Sequence, residues 1–457
     1  MTQTQPPLAK RYLLLAIQFI AINTIFILGV TFGIPLSDEW RWIKELLMPL
    51  MQGDISFGQY LRGEYSFLGH SHYLAIFFLY LDYRFLQLDM NYFTYVGLLF
   101  YLLGYALILS YAKSFLHVDT KQNIAALLIG SVGYFCITSD FPWLLVVFEY
   151  VYFFITIATL IALDLYLRGK IRFRSFLGCA IFCLLFADSI GMAAVFMCIV
   201  ALTCHAFFSK NYKPLAILIA VIAVIFATQY FLLGKGVPIG GHSRLETLKA
   251  ILANPIDILI SFISIFSQPL IDKSILHDTL GEKNAPILQF GLGLVGFIFV
   301  CGVLLAYHLN KGWQKTKLPL LLIGYGLLNW ALIFVSRYLD FGAGVMNEQR
   351  YVRLFTLIYV GTGMAIVCTD LHRIAFRFVA AAAACFVLTY AITTSYKFWQ
   401  DQYIQAYFEN AKVELVNDNT ETSTLANYIG RCTNDYCKEA IDFMKEEKLS
   451  IFNAPEK

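Results

Sequence analysis

The chain has 457 residues, 59% of them apolar and 14% charged, with a net charge of +3 and a mean hydropathy of +0.65. Soluble proteins average about 45–50% apolar and about 25% charged residues, so this composition excludes a soluble globular enzyme, a disordered chain and a disulfide scaffold. No basic stripe with interleaved aromatics occurs, which argues against a nucleic-acid partner.

The expected fold class is therefore all-α: a polytopic membrane protein with a small polar tail. After Lys10-Arg11 comes an apolar run over 12–32, long enough to span and without the short core and cleavage site of a signal peptide. Residues 40–62 set Leu46, Leu47, Leu50 and Met51 among Arg41, Lys44, Glu45 and Asp54, the pattern of a helix lying in the interface. Further spans are expected at 95–112, 123–138, 145–167, 175–190, 191–208, 214–233, 286–308, 318–336, 351–369 and 376–396, which makes eleven with the first. Two shorter runs, 73–86 and 256–270, fall below the ~18 residues of a clear span.

Positive charge fixes the orientation, because Lys and Arg collect in cytoplasmic loops. With the N-terminus inside and both short runs left outside, the inner loops hold thirteen: Lys113, Lys121, Arg168, Lys170, Arg172, Arg174, Lys210, Lys213, Lys311, Lys315, Lys317, Arg373 and Arg377. The outer material is then 33–94, 234–285, 337–350 and the tail 397–457, attached to a transmembrane module over 1–396. Such one-sided polar mass suits an enzyme at the outer surface better than a channel or a symmetric carrier. Eight cysteines (136, 179, 183, 198, 204, 301, 368 and 385) lie in apolar runs and read as small buried hydrophobes. Cys432 and Cys437 stand in the tail, where an oxidising compartment would join them as a disulfide.

The candidate chemistry sits at the outer boundary. Asp38-Glu39, between the first span and Trp40 and Trp42, supplies carboxylates able to take a proton from an acceptor hydroxyl; Ser37 or Asp38 can equally cap the helix that follows. His70 and His72, at i and i+2, suit a phosphate, and no third ligand at metal spacing follows them. Glu149 and Asp188 lie at outer ends of spans, where ionisable groups are costly. Asp164, near an inner end, reads as a solvated helix terminus. Arg337, Arg350 and Arg353 fall within 17 residues against the positive-inside trend, with Tyr351 between the last two. Guanidinium groups bind phosphate through two parallel hydrogen bonds; the alternative is pairing with Asp340 and Glu348 or with headgroups.

Together these residues resemble the GT-C class of integral-membrane glycosyltransferases. The points of likeness are Asp38-Glu39-Trp40 after the first span, His70-Ser71-His72 before the next helix, Pro142 and Glu149 at a middle span, Arg350-Tyr351 at a late span, and Lys448-Leu-Ser-Ile-Phe452 near the end. Gly69-His70-Ser71 stands where the class usually has Glu-His-Arg. The resemblance implies an inverting transfer from a polyprenyl-phosphate-linked sugar to a glycan, lipid or protein acceptor, at the outer face of a bacterial cytoplasmic (inner) membrane. It makes Asp38, with Glu39, the catalytic carboxylate, and gives substrate binding to His70, His72, Glu149, Arg337, Arg350, Tyr351 and Arg353. The class varies in metal dependence, so a divalent cation stays open as cofactor. A surface-polysaccharide polymerase or ligase, and a flippase or transporter of lipid-linked sugars, are the alternatives.

Overall fold

A computed structural model describes residue 40 and residues 42–62, 73–116, 120–135, 147–233, 244–342, 349–416 and 434–453, and every regular element among them is helical. A π-helical turn, Ile43–Leu47, runs into α1 (Met48–Gln52), followed by α2 (Phe57–Arg62), α3 (Tyr73–Leu86), α4 (Asn91–Ala112), α5 (Thr120–Tyr134), α6 (Val147–Leu167), α7 (Phe173–Phe186), α8 (Asp188–Ser209) and α9 (Lys213–Leu233). Then come α10 (Arg244–Ala253), α11 (Pro255–Ser267), α12 (Lys273–Leu309), α13 (Gly312–Lys315), α14 (Leu318–Phe341), α15 (Gln349–Val367), α16 (Arg373–Val416) and α17 (Asn434–Glu446). Ten of the eleven expected apolar runs coincide with helices; the first, 12–32, lies outside the described residues. A helix is the natural form of such runs, since it satisfies every backbone donor and acceptor within itself.

Six of these helices are long and apolar enough to cross a membrane. A seventh is reached if α10 and α11 form one bent span; they meet at 90°. The bend has a local cause. Asn254 leaves the helical region (φ −127°, ψ 67°) and Pro255 opens α11 without a backbone donor. Both short runs of the sequence, 73–86 and 256–270, are helices as well. Large apolar side chains such as Phe208, Val224, Ile298 and Phe378 point outward from the bundle, an exterior suited to lipid rather than water.

The centre of the bundle is α15. Every residue from Val352 to Thr369 is buried, and α5, α12 and α14 pack around it. Its hydroxyls are satisfied locally, Thr362 donating to the Ile358 carbonyl and Thr369 to that of Ala365, each at 2.7 Å. Close approach to α5 depends on Gly363: a Cβ there would lie 2.6 Å from the Ala126 carbonyl oxygen.

The connections sort into two ends. At one, Arg168 lies over the Phe115 ring (4.9 Å), Lys315 pairs with Asp370 (3.9 Å), and Tyr307 donates to the Thr316 carbonyl. At the other, Lys44 pairs with Glu439 (3.1 Å), the Ser450 amide donates to the Gln87 carbonyl (2.7 Å), and Tyr396 donates to Asp278. We call these the Arg168 end and the Lys44 end.

Two local features differ from the sequence reading. Residues 42–62 do not form one interfacial helix: the chain turns at Gly53 (φ 79°), and Leu46 and Leu47 are fully covered by protein, with α17 packed on the π-helical turn that carries them. Of the cysteines expected to be buried, Cys204, Cys301 and Cys385 face outward, while Cys183, Cys198 and Cys368 are buried.

Candidate functional site

Arg353 stands one turn into α15 and is buried, at 7% exposure. Its guanidinium lies 4.9 Å from the centre of the Tyr150 ring, on the first turn of α6. A cation over an aromatic face is held by the ring quadrupole, more firmly when water is excluded. Tyr150 is itself buried and belongs to an aromatic column across α4, α5 and α6: its ring is 4.8 Å from that of Tyr101, which stacks on Tyr134 at 4.6 Å. The Tyr134 hydroxyl donates to the Tyr101 carbonyl at 2.8 Å, and Tyr101 donates in return to the Tyr134 carbonyl. The helices beneath Arg353 are therefore pinned to one another, and the cation has a fixed seat.

Two residue groups far apart in sequence meet here: Arg353 of the late cluster, and the turn of α6 that bears Glu149. Arg337 is half-buried near the C-terminal end of α14, and Tyr351 is half-buried on the first turn of α15, so both belong to the end of the bundle where α15 begins. Arg350 and Glu149 lie on α15 and α6, but their side chains are outside the described residues, as is that of Cys437 on α17. Asp38, Glu39, His70, His72 and Cys432 fall outside the described residues altogether. Asp188 opens α8, and its side chain is likewise not described.

Next to Arg337 in the chain, Tyr338 donates its hydroxyl to Asp257 at 2.7 Å, tying the end of α14 to the start of α11. Asp257 carried no signal beyond an acidic residue in a first helical turn. Tyr150 carried none either, since its role depends on a residue some two hundred positions later.

At the Arg168 end the structure corrects one reading. Asp164 is not a solvated terminus: it is completely buried. It accepts from the Tyr111 hydroxyl and from the backbone N–H of Lys317, and pairs with Arg168 at 3.6 Å. Arg168 also donates to the Tyr111 hydroxyl at 2.8 Å. A carboxylate within an apolar run is costly unless paired, and that rule was the available clue.

Among the described residues no group of three or more His, Cys, Asp or Glu is placed to hold a metal ion. Comparisons with protein families, with curated proteins and with solved structures return no match for the chain.

Proposed function

We propose that the chain is a membrane glycosyltransferase of the GT-C kind, with eleven spans, a cytoplasmic N-terminus and an extracytoplasmic C-terminus in a bacterial cytoplasmic membrane. It moves a sugar from a polyprenyl-phosphate donor to a glycan, lipid or protein acceptor at the Lys44 end. The observation that carries this reading is the seat of Arg353: a buried guanidinium, held over the Tyr150 ring, on the helix that also bears Arg350. A permanently charged planar fork in such a place suits a phosphate that gains charge as it leaves.

In the proposed step, the acceptor hydroxyl loses its proton to Asp38 and its oxygen attacks the anomeric carbon. The bond from that carbon to the phosphate oxygen breaks, the polyprenyl phosphate departs with the electron pair, and the configuration inverts. Arg337, Arg350 and Arg353 hold the phosphate throughout.

The test uses the full chain in vesicles with a labelled polyprenyl-phosphate sugar and an acceptor fraction from the host envelope. Sugar transfer is expected, and Asp38→Asn should lower it by about 10²–10⁴, the usual worth of a positioned acid–base group. Asn caps a helix about as well as Asp, so protein levels should hold. Translocation of the lipid-linked sugar without transfer would overturn the reading in favour of a flippase. Near-normal transfer by Asp38→Asn at normal protein levels would remove Asp38 from the mechanism and make Glu149 the next carboxylate to test.

A further inference from the structure

The Arg168 end holds a cleft of about 620 Å³ lined by Arg168, Lys315, Lys317, Ser114 and Gln314 together with the apolar Phe115, Leu116 and Leu167. We propose that this cleft is a binding site for a phosphate group, carried either by an anionic phospholipid of the adjoining leaflet or by a free diphosphate. The site lies at the opposite end of the bundle from Arg353 and does not depend on the transfer reaction.

Three observations carry the proposal. First, the lining is one-signed: three cations and no carboxylate. A general excess of Lys and Arg on a cytoplasmic face accounts for the sign, but not for their convergence on one concavity. Second, the site is built. Asp164, completely buried behind it, pairs with Arg168 at 3.6 Å and accepts from the backbone N–H of Lys317. Arg168 is held further by the Tyr111 hydroxyl at 2.8 Å and by the face of Phe115 at 4.9 Å. A guanidinium carries five N–H donors, so one fixed in this way can still offer donors to a ligand. With Arg168 balanced by Asp164, the lining keeps the cations of Lys315 and Lys317, the first of them facing the exposed Asp370 at 3.9 Å. Third, Lys315 is exposed and weakly held. Lys315 meets Asp370 only at 3.9 Å, and that carboxylate is 75% exposed, a pairing worth little in water. Leu116 of the lining is 43% exposed and offers an acyl chain an apolar surface beside the cations, so a phospholipid is the better-fitted source.

The experiment is binding, with the full chain in phosphatidylcholine nanodiscs. Retention of phosphatidylglycerol is read by native mass spectrometry, and binding of inorganic diphosphate by calorimetry, for the wild type and for Lys315→Gln/Lys317→Gln. Both altered side chains are at least partly exposed, and the Lys317 backbone contact to Asp164 survives substitution, so folding is preserved; unfolding temperature in phosphatidylcholine alone verifies this. Phosphatidylglycerol retention that weakens about tenfold or more in the variant supports the site and assigns it to lipid. Diphosphate binding weakened to the same extent, without preference for phosphatidylglycerol, supports it and assigns it to a soluble ligand. Equal behaviour of wild type and variant toward both probes overturns the proposal. Arg168→Lys, which keeps the charge but loses the fork, should weaken the same ligand by a smaller factor.

Discussion

Lys44 meets Glu439 at 3.1 Å, joining the helical turn before α1 to the helix of the tail. The pair marks where the tail docks more than it holds it there. Glu439 is 60% exposed, and such surface pairs contribute about 0–1 kcal/mol. The docking is apolar: Ala440, Ile441, Phe443 and Met444 are buried on one side of α17. Met444→Ala should therefore cost about 2–5 kcal/mol of docking and speed proteolytic removal of the tail at least tenfold, while Glu439→Gln changes the rate less than fivefold. An equal effect of the two substitutions would assign the docking to charge instead.

The same contact bears on topology. Residues 43–47 and α17 touch, so they share a side, and Arg172 belongs to the opposite end. Arg172 and Glu446 are both exposed, and each can be replaced by cysteine in a background lacking other reactive thiols. A membrane-impermeant maleimide added to intact cells should label position 446 and reach position 172 only after permeabilisation. Labelling of both from one side would defeat the eleven-span arrangement.

The positions of the helices were legible in the sequence because an apolar run long enough to span has few conformations open to it. The run 214–233, for example, is Lys213–Leu233 in the structure. What a run cannot reveal is how its ends depart from it. Residues 286–308 form only the apolar part of α12, which begins at Lys273 and kinks at Gly281 (φ 73°, ψ 168°). The run 376–396 sits inside α16, whose polar continuation reaches Val416. The candidate site was legible in its charges and not in its partners. Arg353 is conspicuous as one of two arginines opening an apolar run, whereas Tyr150 is one aromatic among many until folding places it under that guanidinium. Asp164 looked like a helix end because its partners, Tyr111 and Lys317, come from elsewhere in the chain.

Helix contact predicts contrasting outcomes for two neighbouring glycines. A Cβ at Gly363 would meet the Ala126 carbonyl at 2.6 Å and the Gly130 backbone at about 3.0 Å, all of it main chain that cannot rotate away. A Cβ at Gly130 meets nothing within 4 Å. Gly363→Ala should thus push α15 from α5 and destabilise by about 1–3 kcal/mol, as overpacking does. Gly130→Ala should be neutral or stabilising by about 0.5–1 kcal/mol, since Ala is the better helix former. Unfolding temperatures in one detergent decide the matter, and a tolerated Gly363→Ala would mean the helices are farther apart than described.

The Asp164–Arg168 pair should behave as a unit. Removing Asp164 alone leaves a cation, 21% exposed, with its main partner gone; Arg168→Leu alone leaves a completely buried carboxylate. Each single change should cost on the order of 2 kcal/mol, less than a fully buried pair because water reaches Arg168. The double variant Asp164→Asn/Arg168→Leu should lose less than the sum, with about 1 kcal/mol or more of coupling. Strictly additive losses in unfolding experiments would show that the two side chains act separately.

The last prediction separates a functional Arg353 from a structural one. Tyr150→Phe keeps the aromatic face and removes only the hydroxyl, so the guanidinium keeps its seat and transfer should stay within about threefold, less than one hydrogen bond is worth. Tyr150→Leu removes the face and about 1–2 kcal/mol of cation–π attraction, and donor KM should rise by an order of magnitude. Arg353→Lys preserves the charge but not the fork. Transfer should then fall by about 10²-fold, as when one donor is removed from a transition-state site, with little change in unfolding temperature. Arg353→Leu is the sharpest arm. It removes charge and fork together, so it should transfer no sugar, with an unfolding temperature no lower than that of Tyr150→Leu, which loses the same cation–π contact. If activity and stability instead fall together across all four variants, Arg353 holds α15 to α6 and does not touch the donor, and the phosphate contacts would have to be sought at Arg337 and Arg350.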